Sequence, residues 1–185
     1  FIKDHAEKPF FLNLWYYTVH TPIEPRKDKL EKYTAKAQSL GLDTSKPPAI
    51  SEHQSLSNAR QDNPAYAAMV ESLDENVGRL MAELDRLGLA RNTLVVFTSD
   101  NGPETLHTVW MRDDHDHDPA GGWRGMKRDG WEGGHRVPLI LCWEGGIQGS
   151  RKVQNQMIGL HDLYRTICGL AGIEVPINQA YDSCD

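Results

Sequence analysis

The stretch Leu94-Val95-Val96-Phe97-Thr98-Ser99-Asp100-Asn101-Gly102 constrains this chain more than any other. Leu94 to Thr98 are apolar or β-branched. The run is too short for an ordinary helix, so it reads as a buried strand. It stops in a carboxylate, a carboxamide and a glycine. Asn-Gly favours a turn, because both residues tolerate positive φ. In an open α/β sheet, ligands bind outside the carboxyl ends of the strands. Asp100 and Asn101 are thus oxygen donors placed where such a fold does its chemistry. The same residues also fit a plain turn in which Asp and Asn cap their own backbone.

The segments around this strand set its context. Asn63 caps a helix that opens on Pro64. Met69, Val70, Leu73, Val77, Leu80, Met81 and Leu84 recur on one apolar face. Glu71, Asp74, Glu75, Arg79, Glu83 and Asp85 occupy the other and read as solvated surface charges. Gly88 ends the helix, which feeds the Leu94 strand through Ala90 to Thr93. Upstream, Phe10 to Tyr17 has the composition and length of a strand. It leads to His20, in a segment that Pro22 keeps extended. Strand, helix, strand is the unit of a parallel sheet with a right-handed crossover. Lys27 to Ala37 reads as a short exposed helix, and residues 39–63 as a long surface excursion. Leu139 to Trp143 is a third strand and Val153 to Ile158 a short fourth. His161 to Leu170 is a helix, with Leu163, Ile167, Cys168 and Leu170 inward, ended by Gly172.

With 185 residues, 39% hydrophobic and 25% charged, the chain suits one globular domain. Its net charge of -6 is spread along the sequence, with no basic stripe to suggest nucleic acid. No apolar run approaches the roughly 18 residues of a membrane span. Cys142, Cys168 and Cys184 are widely spaced, with no zinc pattern. Cys142 and Cys168 sit in apolar contexts and are expected to be buried thiols. The chain starts at Phe1 and ends in a polar run, residues 178–185, so a piece of a longer protein is expected.

Three segments carry candidate chemistry. A carboxylate and an amide oxygen, Asp100 and Asn101, suit a hard cation such as Ca²⁺ or Mg²⁺. Two ligands fall short of a Ca²⁺ shell of roughly six to eight oxygens. Lys127, in the glycine-rich loop Gly121 to Gly134, is a compact point charge for phosphate or sulfate. His20 can donate to an anion, or protonate a leaving oxygen near neutral pH. The run Asp113-Asp114-His115-Asp116-His117-Asp118 holds metal-ligand types, yet it reads best as a solvated insertion.

Two loop motifs, in this order, resemble the sulfatase family, the arylsulfatase branch of the alkaline-phosphatase-like superfamily. They are Val95-Val96-Phe97-Thr98-Ser99-Asp100-Asn101-Gly102-Pro103 and Trp123-Arg124-Gly125-Met126-Lys127-Arg128-Asp129-Gly130-Trp131-Glu132-Gly133-Gly134-His135-Arg136-Val137-Pro138. Pro9 to Pro22, Tyr66 to Leu87 and the Asp162 helix are similar to further family segments. The resemblance implies an α/β fold with a mixed, mostly parallel sheet flanked by helices, incomplete at both ends. It implies that residues 1–145 belong to the catalytic domain, and that 146–185 continue toward a carboxyl-terminal subdomain. By the same resemblance, Asp100 and Asn101 are ligands of Ca²⁺. Lys127 binds a sulfate oxygen and the ester oxygen. His20 contacts the sulfate and assists departure of the alcohol. Glu132, Gly133 and Gly134 are structural, and Arg136 is a structural partner near the loop.

The family's formylglycine arises within Cys/Ser-x-Pro/Ala-x-Arg, and no such motif occurs here. The aspartate pair that completes the metal site is missing too. The expectation is a Ca²⁺-dependent sulfuric ester hydrolase acting on a sugar or aryl sulfate, periplasmic or secreted, of which this piece alone is inactive. Two alternatives stand beside it. One is a phosphodiesterase or phosphonate monoester hydrolase of the same superfamily. The other is a non-catalytic carbohydrate-binding homologue.

Overall fold

The computed structural model describes residues 1–43, 49–52, 55–58, 60–104, 120–149 and 152–184. They belong to two units, Phe1–Gln148 and Gly149–Asp185. In the first unit the order is α1 (Lys27–Ser39), β1 (Ala49–Glu52), β2 (Ser55–Asn58), α2 (Pro64–Arg86), β3 (Val95–Thr98), α3 (Glu132–His135) and β4 (Leu139–Cys142). The second unit holds α4 (Asp162–Leu170).

Helix α2 is built from local signals. Asn63 Oδ1 accepts a hydrogen bond from Tyr66 N at 3.0 Å, and Pro64 takes the first helical position. At the other end Gly88 has φ +71°, the left-handed conformation that costs glycine nothing. Leu89 N then reaches Leu84 O (2.9 Å) and Gly88 N reaches Asp85 O (3.0 Å), which satisfies carbonyls the helix leaves open. Ala68, Met69 and Leu84 are the buried residues of α2, while Val70, assigned to the same face by spacing, is exposed.

The opposite face of α2 is not simply solvated. Helix α1 packs against it through charge. Lys29, only 5% exposed, bonds the Glu75 carboxylate and lies 3.6 Å from Glu71 Oε2. Lys32 Nζ meets Glu71 Oε1 at 2.5 Å. The Glu75 carboxylate holds the Lys29 ammonium above its usual range, and Lys32 holds the Glu71 carboxyl below its own. A lysine without those carboxylates would lose its hydration with nothing in exchange. The expected short exposed helix is thus partly buried at Lys29 and Ala37.

Strands β3 and β4 pair antiparallel, with Val95 opposite Cys142 and Thr98 opposite Leu139. Trp143 extends the join, its indole N–H donating to Arg91 O at 3.1 Å. A second antiparallel pair, β1 with β2, lies inside what reads in sequence as an irregular excursion. Among the described residues no parallel pair forms. Phe10 to Tyr17 and Val153 to Ile158, expected as strands, hold no strand hydrogen bonds. Strand pairing is non-local, and neither segment finds a partner there: Trp15 is 88% exposed and Met157 97%. Cys168 is buried as expected, but Cys142 is exposed. Among the described residues its strand β4 has β3 on one side only, and Ile140 and Leu141 are exposed. Leu170, expected inward on α4, is exposed as well.

In the second unit one carboxylate ties three segments. Asp162 Oδ1 accepts from Cys184 N (2.7 Å) and Oδ2 from Gly159 N (2.8 Å). These backbone donors, Cys184 first, hold the Asp162 carboxyl below the usual carboxylate range. A group with a lowered folded pKa contributes stability that is full above its unfolded value, about 3.9. That stability is lost as pH falls through the folded value. Asp162→Asn therefore lowers the urea midpoint at neutral pH, and its gap from wild type narrows on acidification. A gap that stays constant down to about pH 3 would refute this role. Leu84→Ala empties the site of the large buried side chain of α2, and urea unfolding is expected to show a loss of about 2–5 kcal/mol.

Candidate functional site

The turn after β3 carries the first two candidate residues. Asp100 is exposed and Asn101 half-buried. Asn101 Nδ2 donates to Gly102 O at 2.8 Å. That bond fixes the carboxamide, because an oxygen in the same place would repel the carbonyl. Asn101 Oδ1 is then left as a donor oxygen that takes no hydrogen bond among the described residues. A carboxylate and a free amide oxygen side by side are the ligand types a hard cation takes. Among the described residues no group of three or more His, Cys, Asp or Glu is placed to hold a metal ion.

The glycine-rich loop lies directly against this turn. Gly102 N donates to Gly134 O (2.8 Å), Lys127 N to Pro103 O (2.5 Å) and Gly133 N to Arg124 O (2.7 Å). The backbones touch so closely that side chains cannot fit. A Cβ on Gly102 would lie 1.9 Å from Gly133 O, and one on Gly133 would lie 1.8 Å from Gly125 O. Met126 is buried under the loop at 2% exposure, its N–H donating to Asp129 Oδ2 at 3.0 Å. Lys127 is half-buried, and its ammonium makes no hydrogen bond or ion pair among the described residues. The structure thus brings Asp100, Asn101 and Lys127 into one loop cluster.

Two further devices brace the loop. The Arg124 guanidinium lies 3.9 Å from the Trp131 ring centre, and that of Arg136 lies 4.0 Å from Trp123. Arg136 also meets Glu132 at 2.8 Å, a structural partnership. Such stacked pairs contribute about 0.5–1 kcal/mol each at exposed sites. Arg128, with φ +79°, reaches Glu104 Oε2 at 2.5 Å, and the Glu104 side chain is only 9% exposed. A non-glycine residue in the left-handed region costs about 1–2 kcal/mol. Stacking is not among the expectations drawn from the sequence, although the interleaved Arg and Trp of the loop are a signal that could have found it. No sequence signal links Glu104 to Arg128, which are too far apart for any local pattern.

His20 stands apart. It is exposed, and its contacts are local: Nδ1 lies 2.9 Å from Thr21 O, and its ring lies beside Tyr17 at 5.2 Å. A nitrogen at a carbonyl must carry the proton, so Nε2 is the acceptor of the neutral ring. Among the described residues, no hydrogen bond, ion pair or ring contact ties His20 to the Asp100–Lys127 cluster. His107 and the Asp113–Asp118 run lie outside the described residues.

A family model described as Sulfatase matches residues 1–173. The steryl-sulfatase of Homo sapiens is 31% identical over 185 residues, which span 100% of this chain and 27% of that protein. The N-acetylgalactosamine-6-O-sulfatase of Bacteroides thetaiotaomicron is 29% identical over 186 residues, 99% of this chain and 30% of that one. Among solved structures, the crystal structure of Ps i-CgsB in complex with k-i-k-neocarrahexaose superposes with a TM-score of 0.71 at 28% identity. It covers 98% of this chain and 34% of that one. The chain therefore spans about a third or less of the length of these relatives.

Gly133→Ala is expected to push the loop off the turn. Overpacking against backbone costs about 1–3 kcal/mol or more, so a fall in urea midpoint is the outcome that checks it, and an unchanged midpoint would show that the contact is loose.

Proposed function

The chain belongs to the sulfatase family, and from that premise we propose that it is the carboxyl-side part of an alkaline-phosphatase-like enzyme that hydrolyses a sulfate ester of a sugar or aryl alcohol. The observation that carries this reading is the backbone lock between Gly102 and Gly134 and between Lys127 and Pro103. It ties the turn that carries two oxygen donors to the segment that carries an ammonium with no partner among the described residues, a pairing suited to a cation and an anion held together.

In this reading Asp100 and Asn101 hold Ca²⁺, with the other oxygens of its shell supplied by the longer protein. When bound, Ca²⁺ neutralises charge on the sulfate oxygens. Asn101 fits that part because its amide nitrogen is already engaged and its oxygen, among the described residues, is not. Lys127 offers its ammonium to a sulfate oxygen and to the ester oxygen, where negative charge grows as the S–O bond breaks. His20, protonated, gives its proton to the departing alcohol oxygen. It reaches the sulfate only as the rest of the protein assembles around the Phe10–Tyr17 segment, which we read as a strand of the larger, mostly parallel sheet. The nucleophile, a formylglycine in this family's pattern, belongs to sequence beyond these 185 residues. No helix of the described residues is long and apolar enough to cross a membrane, and the family pattern favours a periplasmic or secreted enzyme.

The test uses the full-length protein. Asp100→Ala is expected to lose bound Ca²⁺ by elemental analysis, and Lys127→Ala to lower kcat/KM on a chromogenic aryl sulfate about 10²- to 10³-fold. Metal content that stays at the wild-type level in Asp100→Ala would sink the ligand assignment. Faster turnover of the matching phosphate ester would move the reading to a phosphoryl hydrolase of the same fold.

A further inference from the structure

We propose that the Glu104–Arg128 ion pair is a latch that sets the spacing between Lys127 and the Asp100–Asn101 turn, making Glu104 and Arg128 positioning residues. The inference rests on the reading of Asp100, Asn101 and Lys127 as the cation and anion groups of one site.

The argument begins with adjacency in sequence. Pro103 and Glu104 follow the metal turn directly, and Arg128 follows Lys127 directly. Lys127 N donates to Pro103 O, so one backbone bond already joins the two segments beside the ammonium's own Cα. The other tie, Gly102 N to Gly134 O, lies at the far end of the loop, so at Lys127 itself a single backbone bond lets the segment pivot. A second tie on the next residue of each segment, Glu104 to Arg128 at 2.5 Å, removes that freedom. The Glu104 side chain is almost fully buried, so its charge has to be met from within the fold.

The backbone at Arg128 adds a second line. Its φ of +79° is a conformation in which glycine would be relaxed. Yet this position holds an arginine, with a planar fork suited to a carboxylate. The arginine side chain makes its ion pair at the expense of the backbone. The pair has one more effect. With its guanidinium held by Glu104, Arg128 is kept from competing with Lys127 for the anion.

The experiment compares Glu104→Gln, Arg128→Gly and Arg128→Lys in the full-length enzyme. The readouts are kcat and KM on an aryl sulfate, Ca²⁺ affinity by calorimetry, and Tm. Because small displacements at a reacting centre are expensive, kcat/KM is expected to fall about tenfold or more in Glu104→Gln and Arg128→Gly, mainly through KM. Ca²⁺ affinity should weaken about tenfold, as for groups that orient metal ligands. Arg128→Lys keeps the charge and should recover most of both. Arg128→Gly also relaxes the backbone. A purely structural role predicts a shift in Tm with KM and Ca²⁺ affinity unchanged, and that result overturns the latch. Should Lys127→Ala and Asp100→Ala themselves leave KM and Ca²⁺ binding untouched, the site reading falls and the latch with it. Where those two act and the latch variants do not, only the latch falls.

Discussion

Peptide groups that meet with no side chain between them hold this structure's candidate site. Gly102 lies on the Gly133–Gly134 backbone, and Gly133 lies on Gly125, at distances a single methyl group would forbid. Everything nearby follows from that approach. It lets Gly102 N reach Gly134 O, it brings Pro103 within reach of Lys127, and it buries Met126 beneath the loop. A loop held by side chains alone could adapt to a substitution through a change of rotamer. Backbone against backbone has no such adjustment, so the approach of Gly102 to the Gly133–Gly134 backbone is set by peptide geometry.

How much of this is legible in the sequence depends on how local the physics is. Helix α2 reads correctly because its cap, its first-turn proline, its apolar repeat and its terminal glycine all act within a turn or two. The strand before Asp100 forms where its β-branched run predicts, but it is half-buried rather than buried, and it exists through its pairing with β4. Phe10–Tyr17 looks like a strand just as clearly, yet a strand exists only through its partner, and composition does not say where that partner is. The antiparallel pairing of β3 with β4 is likewise beyond any local window. Cys142 illustrates the limit: its neighbours are apolar, but what decides its burial is whether anything covers the far side of β4.

Charges mislead in the same way. Glu71 and Glu75 sit where the helical wheel places solvent, and a one-helix view has no reason to put another helix there. Helix α1 is too polar to pack through an apolar stripe, so it packs through Lys29 and Lys32. The loop residues around Lys127 show both outcomes. Gly133 and Gly134, structural by the resemblance, lie where backbones approach too closely for a side chain. The bond between Glu104 and Arg128 joins residues 24 positions apart, and only the folded chain places them together.

The pairing of β3 with β4 bears on how this region can vary. Thr98 and Leu139 are opposite one another, so the chain between them is a closed loop whose ends are pinned by the sheet and, further in, by the glycine contact. One residue added between Arg124 and Gly134 would shift the register of every contact there, from the Gly133–Arg124 bond to the stacked Arg124–Trp131 pair. That stretch acts as a ruler: its length, and not only its residue types, fixes which backbone groups meet.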